Sequence, residues 1–134
     1  MASLVSFEQF TFEGQQNTKT LGFNSDASFP LALKALSEDQ VTLAASIEAI
    51  KELSASGKLF ELVKEHGGAV LFRGLPLNTP QDYSDLAHAF GFRAHEEVGR
   101  PPMRTVLAKN IKTANEGYVS GEVLKQDLVY SLFP

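Results

Sequence analysis

Histidines and carboxylates are the side chains with the widest chemical reach in this chain, and the histidines are His66, His88 and His95. Cysteine is absent, which removes a thiol nucleophile, a disulfide framework and thiolate zinc sites, and leaves the redox compartment open. His95-Glu96-Glu97 has His-x-Glu spacing, which would offer a metal two of the three ligands of a facial triad. No plausible distal histidine completes the set, so the stretch reads as ordinary loop sequence. Glu96 and Glu97 adjoin without an identifiable opposing acid or base. The serines lack a nucleophile elbow, and no glycine run has the spacing that cradles a phosphate. The residues therefore predict no catalytic group and no metal-ligand set of their own.

A second feature is a local excess of positive charge. Arg93, Arg100 and Arg104 are followed by Lys109 and Lys112, against Glu96 and Glu97, in a chain of net charge -4. Such a cluster could attract an anionic ligand; the simpler reading, preferred here, is a solvated loop and strand face. The acidic balance argues against a nucleic-acid partner. No apolar run approaches the roughly 18 residues that cross a membrane, and the N-terminus, with Glu8 and Glu13, lacks the basic-then-apolar pattern of a secretory signal. A cytoplasmic protein of one domain at most is expected from 134 residues, 43% of them apolar.

The elements that would position these groups can be read in order. Residues 1–37 form a lead-in in which Val5–Phe7 and Phe10–Phe12 suggest a short strand or hairpin and residues 14–28 a loop. Phe7, Phe10, Phe12, Phe23 and Phe29 are expected to pack rather than to form a site. Ser37-Glu38-Asp39-Gln40 has capping-box form. Leu43, Ile47, Ile50 and Leu53 then repeat at helical spacing, Ser54–Gly57 breaks the pattern, and Leu59, Leu62 and Val63 resume it. Two consecutive helices or one broken helix are predicted over about 38–66, with Gly67 as the stop. Ala69-Val70-Leu71-Phe72, fenced by glycines, predicts a strand over 68–73 buried on both faces. Thr79-Pro80-Gln81-Asp82 opens another helix, with Tyr83, Leu86, Ala87 and Phe90 on its buried side and Gly91 at its end. Residues 92–104 read as loop, and Thr105–Ala108 as a strand.

With these motifs laid out, the stretch His66-Gly67-Gly68-Ala69-Val70-Leu71-Phe72-Arg73-Gly74-Leu75-Pro76 resembles a signature segment of the taurine-dioxygenase-like (TauD/TfdA, clavaminate-synthase-like) family. Those proteins are Fe(II)/2-oxoglutarate-dependent oxygenases. Phe90-Gly91-Phe92, Gly99–Arg104 and Thr113-Ala114-Asn115-Glu116 follow in the family's order, and the resemblance covers about residues 38–116. It implies an α+β chain carrying the N-terminal helices and strands of a double-stranded β-helix, or jelly roll, and ending before most of that barrel. It also implies that Thr113, Asn115 and Glu116 lie near the entrance of a substrate pocket; read without the resemblance, they make a strand-end turn.

The chain departs from the family at Gly117. The family's metal motif would follow there, but Tyr118 to Pro134 contains no histidine. Three segments are expected: the lead-in, 1–37; the oxygenase-like region, 38–116; and a divergent tail, 117–134. Codons for Gly117-Tyr118-Val119 can contain an intron-donor form, so the tail reads either as translated intron or as a genuine truncation with a new end. By the resemblance, full-length relatives would use Fe(II) and 2-oxoglutarate to oxidise a small organic substrate in specialised-metabolite biosynthesis. For this chain no cofactor is expected. Its apolar tail and uncovered faces make self-association, or pairing with a full-length homologue, the expected partner mode.

Overall fold

The computed structural model describes residues 4–96, 98, 99 and 104–113. The expected positions Asn115, Glu116 and 117–134 lie outside the described residues. The described part is a mixed α+β arrangement of three helices and small sheets, with no closed barrel among the described residues.

Within and just beyond residues 14–28, expected as loop, β2 (Gln16–Asn17) pairs antiparallel with β3 (Ser28–Phe29). The central element is β4 (Leu31–Leu36), a strand that the lead-in's composition does not announce. Antiparallel on one side is β1 (Ser6–Gln9), with Phe7 opposite Ala35. Parallel on the other is β5 (Val70–Arg73), with Leu31 opposite Val70 and Leu33 opposite Phe72. Residues opposite one another across a ladder share a face, so Phe7, Leu31, Leu33, Ala35, Val70 and Phe72 all lie on one side of the sheet. Leu31, Ala32, Leu33 and Ala35 are buried.

Of the two forms expected for residues 5–12, a short strand or a hairpin, the strand forms: Ser6–Gln9 pairs with β4 rather than with Phe10–Phe12. The strand in the His66–Gly74 signature corrects an expectation: it is half-buried rather than enclosed, and β5 stands at an edge of the described sheet. On the sheet's other face, the Arg73 guanidinium lies 5.5 Å from the Phe10 ring centroid and 5.3 Å from that of Phe12. These are cation–π distances, and they place the two aromatic rings of the lead-in beside the signature's arginine.

Between β4 and β5 run α1 (Leu43–Ala55) and α2 (Lys58–Glu65). They are two helices, parted at Gly57, whose φ of 78° is left-handed. The first begins later than the Ser37–Gln40 box suggests. β4 remains paired to β1 as far as Leu36, and the chain must leave the sheet before it can coil. Thr42 becomes the N-cap, its hydroxyl accepting from Ala45 N–H. At the far end, Gly67 takes φ 71° as α2 stops. A Cβ there would sit 3.1 Å from the Phe29 ring, so both backbone and packing favour glycine.

Helix α3 (Pro80–Ala89) starts where its sequence says it should. Thr79 accepts from Asp82 N–H at 3.1 Å, while the Asp82 carboxylate accepts from the backbone N–H groups of Asn78 and Thr79, each at 3.0 Å. The Asn78 N–H chiefly, with help from Thr79, holds the Asp82 carboxyl below its ordinary pKa. A depressed folded-state pKa contributes stability that is full above the unfolded carboxylate range and lost as pH falls through the folded value. Asp82→Asn is therefore expected to flatten the acid limb of a urea-midpoint-versus-pH curve, and an unchanged acid limb would contradict this role.

Ile50 of α1 and Leu86 and Ala89 of α3 form the buried cluster, with Phe7, Ile47, Phe72, Leu75, Leu77 and Phe90 packed around it. Phe7 meets Phe72 edge-on at 5.2 Å between centroids, and Phe72 meets Phe90 at 5.8 Å. The Ser54 hydroxyl ties α1 to the end of α3 by donating to Phe90 O at 2.6 Å. A last hairpin, β6 (Val106–Ala108) and β7 (Ile111–Lys112), turns through Asn110 at φ 59°. No helix among the described residues is long and apolar enough to cross a membrane.

Candidate functional site

Each histidine can now be placed by what its ring touches. His66, buried at the end of α2, has Nδ1 2.7 Å from Ser28 O. A carbonyl only accepts, so Nδ1 carries the proton and donates. The ring thereby fastens the lead-in to the start of the signature segment. His95 and Glu96 are exposed in the loop after α3, where Glu96 lies 4.0 Å from an exposed Arg93; Glu97 lies outside the described residues. Arg93, Arg104, Lys109 and Lys112 are not drawn into a buried site, since all four are exposed; Arg100 lies outside the described residues.

His88 sits at a junction that the sequence did not single out. Its Nδ1 is 2.6 Å from Ser84 O, and its Nε2 is 2.9 Å from Asn110 Nδ2. The carbonyl requires the proton on Nδ1, which leaves Nε2 to accept from the Asn110 amide. The buried Ser84 hydroxyl donates to Lys109 O at 2.6 Å. Ser84 Oγ is also 3.3 Å from His88 Nδ1, which superficially looks like a serine–histidine dyad. It lacks that chemistry, since the nitrogen facing the hydroxyl is already protonated and the hydroxyl proton is committed to a carbonyl. What the group does is hold the tip of the β6–β7 hairpin against α3. The only sequence signal for it is the i, i+4 spacing of Ser84 and His88 on α3.

That junction borders a groove of about 330 Å³ between α1 and α3, lined by Ile47, Lys51, Gln81, Ser84, Asp85, His88, Ala89 and Lys109. Gln81 donates to Asp85 at 2.8 Å, and Lys51 pairs with Glu48 at 2.8 Å.

Of the expected substrate residues, Thr113 is the one described. Its N–H donates to Thr105 O, and its hydroxyl accepts from Thr105 N–H, both at 2.9 Å. It closes the base of the hairpin. Among the described residues no group of three His, Asp or Glu side chains converges as a metal would need. These residues do not fit an iron triad.

No protein-family model matches the chain. Over 49 residues, 37% of the chain, it is 47% identical to a clavaminate synthase-like protein of Arabidopsis thaliana. This chain is similar to that protein. The match spans 15% of the relative's length, and it agrees with the resemblance carried by the His66–Pro76 motif.

Proposed function

We propose that this chain carries the N-terminal portion of an oxygenase-related protein of the clavaminate-synthase-like kind, and that it performs no oxidation by itself. The observation that carries this reading is the 47% identity over 49 residues. In intact relatives Fe(II) and 2-oxoglutarate would supply the oxidising chemistry, acting on a small organic substrate; the residues of this chain would build the scaffold beside it, with Thr113, Asn115 and Glu116 toward the pocket. No step through iron is derived from this chain. The purified protein is expected to retain no stoichiometric Fe(II) and to turn over no 2-oxoglutarate. Turnover coupled to iron binding would overturn the non-catalytic part. Kinship is tested separately by grafting residues 38–113 into the corresponding place in the Arabidopsis relative. A folded chimera that binds what the parent binds supports it, and a graft that cannot fold there counts against it.

A second reading, a non-catalytic module that pairs with its own kind, is favoured by one observation, the outer edge of β5. Leu31 N–H donates to Ala69 O, and parallel pairing alternates the direction of successive residues. The backbone groups of Val70 and Phe72 therefore point away from β4, toward an edge where no described strand pairs. Two copies can meet there antiparallel, Val70 opposite Phe72 and Leu71 on the two-fold axis, with no charged residues opposed. Such an exposed edge is a template for association. Sedimentation is expected to show concentration-dependent dimers that Leu71→Lys weakens, by opposing like charges on the axis, while the melting curve reports whether the fold survives. A monomer at all concentrations would remove this reading.

A further inference from the structure

We draw no further inference here: the strongest candidate, the groove between α1 and α3 beside the hairpin junction, carries nothing because Ser84 and His88 are spent holding the hairpin to α3, Lys51 is paired with Glu48, Asp85 accepts from Gln81, and nothing in the structure points to a ligand that would fill it.

Discussion

Replacing Ile50 with alanine is expected to lower the unfolding free energy by about 2–5 kcal/mol, the range for deleting a buried aliphatic side chain and leaving a cavity. Ile50 is fully buried in one cluster with Leu86 and Ala89 of α3, and Phe7 from β1 and Phe72 from β5 pack against that cluster. Rings locked edge-to-face at 5.2 and 5.8 Å cannot collapse freely into the space, which places the loss toward the upper part of that range. A domain of this size is stable by only about 5–15 kcal/mol in total, so the variant would sit close to unfolding at physiological temperature. Urea denaturation measures the effect. Phe60→Ala is the control, because Phe60 is 70% exposed on α2 and surface changes cost about 0.5 kcal/mol or less. Equal losses for the two variants would mean that the core is not organised around Ile50.

The second large effect concerns Thr18, a fully buried polar side chain in the lead-in. Its hydroxyl donates to Ser25 O at 2.8 Å and accepts from Ser25 Oγ at 2.9 Å and Ala27 N–H at 3.0 Å. Its carbonyl accepts from the N–H groups of Leu21 and Phe23, and its own N–H donates to Ala27 O. Valine would fill the same space but leave the Ser25 carbonyl and Ala27 N–H without their partner. At roughly 1–3 kcal/mol for each orphaned group, Thr18→Val is expected to cost about 2–4 kcal/mol. Thr18→Ser keeps the oxygen and should cost clearly less, the difference appearing as faster amide exchange at Ala27 in the valine variant. If serine and valine destabilise equally, the hydroxyl is not what holds the loop. The loop matters beyond itself, since Thr18, Phe23 and Phe29 are the atoms nearest Gly67 at the entrance to the signature strand.

Where the physics is local, the sequence was readable. Thr79-Pro80-Gln81-Asp82 carries its own capping bonds, and Gly57 and Gly67 adopt the left-handed angles that end a helical pattern, so α3 and the α1–α2 break could be seen in the letters. Where neighbours decide, it was not. Leu31-Ala32-Leu33-Lys34-Ala35-Leu36 is made of good helix formers, and it is a strand because β1 and β5 pair with it from both sides; tertiary context overrides such propensity. The start of α1 moved from Ser37 to Thr42 for the same non-local reason. At the site level, the signature segment was legible as a motif, whereas the Ser84–His88–Asn110 junction depends on where a hairpin lands and has almost no linear trace.

The parallel pairing of β4 with β5 also has a kinetic side. Leu31 cannot meet Val70 until both helices between them have been made, and closing such a loop must precede any reward from the contact. While the chain emerges from the ribosome, β4 can pair only with β1, as an isolated two-stranded ribbon that is marginal in water. Synthesis must reach Arg73 before the sheet gains its third strand. Pauses upstream of that point would hold a buried-type apolar strand open to solvent, and chaperone capture of stalled chains should drop sharply once the signature segment has cleared the exit tunnel.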